Sequence, residues 1–526
     1  MARLRLGAAL ACAAVVGCGA GEPGAEDIAT TRNAVRPDTP GASLQFKFNA
    51  SDVVETHQSS QGRFLVHFTR NGSNAVPAAD GDNSGVPDFA EDVAETYESV
   101  LTHYESLGFS APLSDAGKAD NGGDGAFDVY LVDFAGVGDG NFQKEFCTSE
   151  NPQRCSGYMV QENDYVGYGY PSTQLANRIL CSHEFFHAVQ AAYDTEQGSV
   201  FSEGSAVWAT ESFDASLKDF EGFLGGYFQN PDRSLDVPLP GPVDPFSYGS
   251  GIFFQFLEER HGAGTVRGLW QAVENGSGGV ADPYWLTALD PLLATKGSSF
   301  AETYTDFATW NLMTALRGDP SRSYAAGKSY PPVKLESVDA PYSKDKLRVF
   351  YASAQYYRLM PGGRAEMTAA LVNTPTAPNA TEGLSLLLAS RSGSLYDPVV
   401  RVADVAAGTE TVATASAAEL VVIVVNPKAE GESARPGLCI GTADEVTNCR
   451  NNLSGAAGGG GAAGSAGSGG TAGTASNAAK DDGESGCGCR TVRRSPLPLG
   501  PWLLGLGLAY SLCLRRRSRR PLRRRR

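Results

Sequence analysis

The two ends of this 526-residue chain bound the part that can form a folded core. Residues 454–482 consist mainly of Gly, Ala and Ser. Such a segment has too little apolar side-chain surface to fold, and it is typical of a flexible tether. Residues 1–20 are also unlike the rest of the chain. About 400 residues lie between these ends, which is too many for one hydrophobic core, so the sequence predicts two domains.

Residues 1–20 have the order of a secretory signal peptide, in which two arginines precede a short apolar run and then small residues. The apolar run is too short to span a bilayer as a mature helix. The string VVGC resembles the cleavage box of a bacterial lipoprotein and would make Cys18 an acylated residue; simple cleavage near Ala20 is the alternative. Both readings predict export, followed by a polar stalk or pro-segment over residues 21–43.

The C-terminal segment 486–526 has the composition of a sorting signal. Its GCGC string precedes a nearly uncharged stretch at 496–514, just long enough to cross a hydrocarbon core. Nine arginines in the last twelve residues would hold that end in the cytoplasm. This order, after a linker at 451–485, resembles a MYXO-CTERM sorting tail. The resemblance implies a tail-processing sorting protease as a partner, Cys487 or Cys489 as the processed residue, and display on the cell surface; a permanent transmembrane anchor is the alternative.

The charge of the chain excludes nucleic acid as a partner. The formal net charge is −16, and removal of the fourteen arginines of the two ends leaves about −30. A protein this acidic repels phosphate backbones. We expect contact with a membrane only through a terminal anchor. The acidic composition favours an exported domain that is exposed at the cell surface or secreted.

Five cysteines lie outside both ends. Cys147 and Cys155, and likewise Cys439 and Cys449, are closely spaced pairs that an oxidising compartment is expected to join as disulfides. Cys181 has no such neighbour, and we expect it to be a buried, inert residue.

The hydrophobic pattern predicts an α+β fold in two domains. Residues 44–330 combine strands with helices, and residues 331–450 contain short Val-, Leu- and Tyr-rich runs between Gly and Pro, a pattern that predicts an all-β sandwich. We expect this second domain to dock on the first or to bind substrate or envelope material. In the first domain we predict strands at 44–48, 62–68, 128–134 and 157–161, and helices at 88–109 and 173–194.

Two of the six histidines lie four residues apart, with a glutamate directly after the first. In a helix, His183 and His187 share one face and can offer two imidazole nitrogens to one Zn²⁺. Glu184 then lies beside the open coordination position, where it can act as general base toward a water that the metal activates. The alternative is an ordinary polar helix face.

The segment FSEGSAVWATE resembles the NEGxAxxxE helix of the gluzincin clan of zinc metallopeptidases, which includes thermolysin and zinc aminopeptidases. The resemblance implies a domain built from a mixed sheet and a helical subdomain, with Glu203 as the third zinc ligand. Glu211 matches the second acid of the motif and is the alternative ligand. The resemblance also implies that the strand at 157–161 is the edge strand that pairs with an extended substrate.

A second similarity concerns Tyr248. The segment 247–262 resembles a YxxG…FxxxL…G helix of the same clan, and this implies that Tyr248 hydrogen-bonds the oxyanion formed during peptide hydrolysis. The alternative is a packing tyrosine at the start of a helix. The longer stretch 62–262 resembles a set of bacterial surface proteins assigned as metalloproteases.

The loop at residues 80–91 has the ligand spacing of an EF-hand-type calcium site, with Gly85 at the sharp turn. Pro77 and Pro87 depart from that pattern, and a solvated acidic turn is the alternative. The expected ligands, at loop positions 1, 3, 5, 7, 9 and 12, are Asp80, Asp82, Ser84, the carbonyl of Val86, Asp88 and Glu91.

Together these features predict a secreted, surface-anchored zinc metallopeptidase, an endopeptidase that acts on protein or peptide substrates. One catalytic Zn²⁺ and a structural Ca²⁺ are the expected cofactors. The alternative is a surface adhesion or binding protein on the same scaffold, with an inactive or purely structural zinc site.

Overall fold

The computed structural model describes residues 35–149, 153–240, 244–274, 283–406 and 408–455, together with the backbone of residues 488–489. These parts of the chain form helices and three β-sheets, which is compatible with the predicted α+β class. Within them, no helix is long and apolar enough to cross a membrane. The leader with Cys18, the stretch at 496–514 and Cys487 lie outside the described residues.

The strands and helices are numbered here in chain order. The strands are β1 (Val54–Gln58), β2 (Phe64–Thr69), β3 (Phe127–Val132), β4 (Gly140–Cys147), β5 (Cys155–Glu162), β6 (Glu336–Ser337), β7 (Tyr342–Lys344), β8 (Ser353–Leu359), β9 (Glu366–Val372), β10 (Ser385–Arg391), β11 (Val400–Arg401), β12 (Glu410–Ala413), β13 (Glu419–Asn426), β14 (Gly437–Gly441) and β15 (Gly488–Cys489). The helices are α1 (Asp88–Ser106), α2 (Thr173–Ala191), α3 (Ser199–Phe213), α4 (Phe220–Phe223), α5 (Gly225–Phe228), α6 (Pro245–Gly249), α7 (Gly251–His261), α8 (Thr265–Val273), α9 (Trp285–Thr295), α10 (Phe300–Leu312) and α11 (Ala443–Leu453).

The first sheet has the strand order β1-β2-β3-β5-β4-β15. Strands β2, β3 and β5 run parallel, whereas β1 and β4 are antiparallel to their neighbours. The prediction that residues 157–161 form the edge strand is wrong, because β4 pairs along the outer side of β5. The backbone of β15 pairs antiparallel with the first two residues of β4.

Helices α1 and α2 confirm the predicted helices at 88–109 and 173–194 to within three residues at each end. Ser172 caps α2, since its hydroxyl oxygen accepts a hydrogen bond of 3.1 Å from the backbone N–H of Leu175. From Leu180 to Ala191 the helix is buried without a break, because it lies between the first sheet, α1 and α3. A helix surrounded in this way can hold polar side chains at fixed positions in the interior.

The segment before β1 does not form the strand predicted at 44–48. Its alternating aromatic residues instead anchor a loop on the open face of the first sheet. The ring of Phe46 stacks on Phe134 with centroids 3.8 Å apart, and Phe48 is buried with other apolar residues of β3 and β5. Residues 35–43, assigned to the stalk or pro-segment, also lie on this sheet, where the Arg36 guanidinium is buried among three carboxylates.

The later part of the chain forms a five-stranded sheet, β11-β10-β13-β8-β6, and a four-stranded sheet, β12-β9-β14-β7. One apolar cluster contains side chains of both sheets, such as Val422 and Leu371. The opposite face of the five-stranded sheet packs on the helices, and Ile423 belongs to the same core as Phe307. Strand β13 is therefore buried on both faces, which explains its uninterrupted apolar sequence.

Both predicted disulfides are formed, Cys147 to Cys155 and Cys439 to Cys449. The first joins β4 to β5, and the second joins β14 to α11. Cys181 is buried and free, as predicted.

Candidate metal site

Helix α2 places His183 and His187 one turn apart on the same face. Each histidine is 5% exposed, and their ring centroids lie 5.2 Å apart. The sequence spacing alone fixes this arrangement once the segment is helical. The site is therefore built on the continuously buried part of α2.

Helix α3 brings Glu203 to the two histidines. Gly204 allows this approach, because a Cβ at that position would collide with the side chain of Ser250 and lie 2.7 Å from the ring of Phe254. The glycine in the EGSA string thus lets α3 pack closely on the start of α7. One ligand atom from each of His183, His187 and Glu203 lies within 4.8 Å of the others, so the group could hold a metal ion.

The distances within this group fit a tetrahedral ion. The Glu203 Oε2 atom lies 3.2 Å from His183 Nε2 and 3.5 Å from His187 Nε2. With metal–ligand bonds of about 2.0–2.1 Å, the ligand atoms of a tetrahedral site are about 3.3 Å apart. Both separations from Glu203 are close to this value.

Gln190 fixes the tautomer of His187. The Gln190 amide nitrogen donates to the carbonyl oxygen of Ser202 at 2.8 Å, so its amide oxygen faces His187 Nδ1 at 2.9 Å. The neutral imidazole must therefore carry its proton on Nδ1. Its Nε2 atom, which is buried and makes no hydrogen bond to the described residues, then has a lone pair directed into the cluster.

The electrostatics of the group keep Glu203 ionised. Burial raises the pKa of Glu203, but His187 and His183 outweigh burial and hold that pKa well below its usual range. Burial likewise lowers the pKa of His187, and the carboxylate of Glu203 overcomes this effect and raises it to about 9. The carboxylate of Glu203 thus stays negatively charged. A bound cation would neutralise this charge in place of the proton on His187.

Glu184 is fully buried beside the two histidines. Its carboxylate interacts electrostatically with His187 and also with Asp139, an acidic residue at the start of β4. Glu184 therefore lies close to the group that could hold a metal, and its role as general base stays a prediction.

Tyr248 lies at the same site. Its ring stacks beside His183 with centroids 5.8 Å apart and on Phe223 with centroids 5.2 Å apart. The next residue, Gly249, makes this possible, because a Cβ there would overlap the backbone nitrogen of Tyr227. The short helix α6 can therefore lie directly on α5 and present Tyr248 toward the histidine pair.

Glu211, the alternative ligand, does not join the group. It lies two turns further along α3, and its electrostatic neighbours are Glu221, Lys218, Asp214 and Glu259. Burial and the nearby carboxylates raise the pKa of Glu211 to about 7. Of the two acids in the α3 motif, Glu203 is the one that the fold brings to the histidines.

The acidic loop before α1 is held together by hydrogen bonds to its own side chains. Asp80, Asp82 and Asp88 place one carboxylate oxygen each within 4.8 Å of the others. The backbone N–H of Ser84 donates to Asp82 Oδ1 at 2.9 Å, and the hydroxyl of Ser84 donates to Glu91 Oε1 at 2.8 Å. All side chains of the predicted calcium loop are thus gathered at one place, and Ca²⁺ binding stays a prediction.

Calcium should raise the thermal stability of the protein if this loop binds it. At a free concentration about 100-fold above the dissociation constant, binding to the native state contributes about 2.7 kcal/mol. The unfolding midpoint of chelator-treated protein should then rise by on the order of 5 °C on addition of CaCl₂. Asp82→Asn should abolish this rise in a thermal melt, whereas Asp124→Asn, an exposed aspartate in the loop before β3, should keep it. Equal midpoints with and without calcium in the wild type would contradict the prediction.

Neither Gln190 nor Asp139 was predicted from the sequence as a residue of the site. Gln190 lies one turn beyond His187, and its role depends on the carbonyl group that α3 presents to it. Asp139 occupies a Gly-rich stretch without any motif, and only the pairing of β4 with β5 brings it to the histidines.

Comparison with known proteins adds no relative: no protein-family model matches this chain, and no curated protein matches it.

Proposed function

We propose that this protein is a secreted, cell-surface zinc metallopeptidase that cleaves peptide bonds as an endopeptidase. The observation that carries the proposal is the buried group of His183, His187 and Glu203, with Glu184 on the same turn of α2. Two imidazoles and one carboxylate are a ligand set typical of catalytic zinc, which keeps a fourth position for water or substrate. A purely structural zinc site needs no base beside it.

The residues of the site divide the chemistry between them. Zinc would polarise the scissile carbonyl and lower the pKa of the attacking water. Glu184 accepts a proton from that water and passes it to the nitrogen of the leaving amine. The phenol of Tyr248 donates a hydrogen bond to the carbonyl oxygen as negative charge develops on it. Gln190 holds His187 in the tautomer that binds a metal, and it thereby supports the site without contacting substrate.

Tyr248→Phe should lower kcat by roughly 10²- to 10³-fold, because it removes one donor to the oxyanion while the ring keeps its packing on Phe223. KM and metal content should change little, since the phenol acts on the transition state and does not bind the metal. Steady-state kinetics on a fluorogenic peptide would measure this split. Tyr342→Phe, in β7 of the four-stranded sheet, serves as the control. A kcat within about threefold of the wild type would assign Tyr248 to packing alone.

The same proposal assigns a fold to each of the two domains. The mixed first sheet with α2 and α3 behind it is consistent with a gluzincin-type catalytic domain over residues 44–330. The apolar cluster shared by the two later sheets supports a β-sandwich over residues 331–450. The sandwich would dock on the catalytic domain through contacts such as the hydrogen bond of 2.9 Å from the Tyr356 hydroxyl to the Ala308 carbonyl.

The proposed location rests on the two ends and on the cysteines. Two disulfides are compatible with an oxidising, extracellular compartment. The signal peptide and the sorting tail predicted from sequence would deliver the protein to the cell surface, with removal of the tail near Cys487 or Cys489 by a sorting protease. Protein or peptide substrates remain the proposed partners.

Metal dependence of proteolysis tests the proposal directly. The purified full chain should cleave casein or members of a broad peptide library, and 1,10-phenanthroline should stop the reaction. The non-chelating isomer 1,7-phenanthroline should have no effect, and added ZnCl₂ should restore activity to the chelated protein. If the metal-loaded protein cleaves none of these substrates but binds cells, the adhesion alternative replaces the peptidase.

A further inference from the structure

A buried carboxylate that the sequence did not reveal lies beside the proposed catalytic residues. Asp139 directly precedes Gly140, the first residue of β4, and it is 3% exposed. A Cβ at Gly140 would lie 2.7 Å from the side chain of Leu180, one turn before Glu184 on α2. The start of β4 is thus held against the turn of α2 that carries the catalytic residues.

The position of Asp139 is fixed on two sides. The hydroxyl of Tyr170 donates to Asp139 Oδ2 at 2.8 Å, and the backbone N–H of Glu162 donates to the Asp139 carbonyl at 2.8 Å. The preceding loop is attached at the same place, because the hydroxyl of Tyr168 lies 2.5 Å from the carbonyl oxygen of Gly138. Such a carboxylate is preorganised and pays little entropy when a ligand binds to it.

The charge environment of Asp139 is acidic. Its electrostatic neighbours include Glu184, His183 and Asp219. Burial raises the pKa of Asp139 to about 7, against the effect of the Tyr170 hydrogen bond, and the charge of Glu184 adds to the rise. A cation that reaches this buried carboxylate would favour its ionised form.

The edge of β4 offers a path for an extended peptide past this carboxylate. Among the described residues, β4 is the outermost strand of the first sheet along residues 140–147, apart from the two-residue pairing with β15. That antiparallel pairing is opposite Gly140 and Asn141, so a peptide that pairs with the backbone next to Asp139 would take the place of β15. A peptide bound there would carry its side chains or its amino terminus past Asp139.

We propose that Asp139 is a specificity-determining residue that binds a cationic group of the substrate, an ammonium or a guanidinium, close to the cleaved bond. This inference rests on the proposed peptidase function and names its substrate class. The same chemistry can come from a Lys or Arg side chain flanking the cleaved bond or from a free amino terminus, and the experiment separates the two sources.

A set of matched peptides tests the inference. The peptides carry lysine or norleucine at one of the two residues that flank the cleaved bond, and each is made with a free or an acetylated amino terminus. Lysine and norleucine share their aliphatic length and differ in the ammonium group. Hydrolysis is measured as kcat/KM with the metal-loaded full chain, and binding of the same peptides is measured calorimetrically with Glu184→Gln protein.

Peptides with the recognised cation should be preferred by roughly 10- to 100-fold in kcat/KM, the range expected for a hydrogen bond between charged groups. Asp139→Asn should reduce this preference to below about threefold and leave the neutral peptides nearly unchanged. Tyr170→Phe keeps the charge of Asp139 but removes a hydrogen bond that holds its carboxylate. Its preference for the cationic peptides should therefore lie between those of the wild type and Asp139→Asn. Asp345→Asn removes one exposed charge in the C-terminal part of the chain and should keep the full preference.

The outcomes separate this inference from the proposed function. A wild type that cleaves all peptides equally well would overturn the role of Asp139 while the peptidase stands. An equal loss with every peptide in Asp139→Asn would also overturn it, because Asp139 would then act on the metal centre rather than on substrate. A wild type that contains zinc and cleaves none of the peptides would instead contradict the peptidase itself. Thermal melts of each variant show whether a loss comes from unfolding.

Discussion

Glu184→Gln should abolish peptide cleavage while the protein keeps its metal. Glutamine has the shape of glutamate but cannot accept the proton of the attacking water, and loss of a general base lowers kcat by roughly 10²- to 10⁴-fold. The three side chains that could hold the metal are untouched by the change. Hydrolysis of a fluorogenic peptide and metal content by mass spectrometry, both on the purified full chain, measure the two effects separately.

The fold should tolerate this substitution well. Glu184 is fully buried, and its charge contributes to the raised pKa of Asp139 nearby. A neutral amide relieves this repulsion, so the unfolding midpoint should stay the same or rise. Glu196→Gln, an exposed glutamate in the turn after α2, is the matched control and should leave activity unchanged. Retained cleavage in Glu184→Gln would exclude the proposed mechanism, and loss of metal would show that Glu184 serves the metal group instead.

Local sequence was sufficient to predict the part of the site that one helix contributes. The i, i+4 spacing of His183 and His187 needs only a helix, and the structure supplies it to within three residues of the predicted bounds. Glu203 was expected from its resemblance to a motif, and the glycine that follows it has a visible structural reason. These predictions depend on contacts that are close in sequence or on a short string of residues.

Features that depend on distant contacts were missed. No strand was predicted between the strands at 128–134 and 157–161, yet residues 140–147 form β4, whose apolar Phe142 packs into the core while polar side chains follow it. In contrast, the alternating apolar and polar residues at 44–48 belong to a loop. Its aromatic side chains stack on the first sheet, but the segment does not join the sheet as a strand. Alternation shows which side chains are buried, but it does not show whether the backbone finds a partner strand.

The carboxylate that binds the metal can be identified by comparing Glu203→Gln with Glu211→Gln. Both residues lie on α3 and belong to the same sequence motif, so each variant is the matched control of the other. Glu203 lies 3.2 Å from His183 Nε2, whereas Glu211 interacts with charges at the far end of the helix. Glu203→Gln should therefore weaken zinc binding by more than about 100-fold, since even partners outside the ligand shell contribute 10- to 100-fold.

Glu211→Gln should leave zinc affinity unchanged and should stabilise the fold slightly, because the raised pKa of Glu211 shows that burial and neighbouring acids disfavour its charge. Competition with a fluorescent zinc chelator measures both affinities, and thermal melts measure the stability. The opposite pattern, with zinc lost in Glu211→Gln and kept in Glu203→Gln, would mean that α3 turns or shifts when the metal binds. If neither variant loses zinc, the two imidazoles would be the only protein ligands. The open position required for a catalytic site would then have no defined geometry.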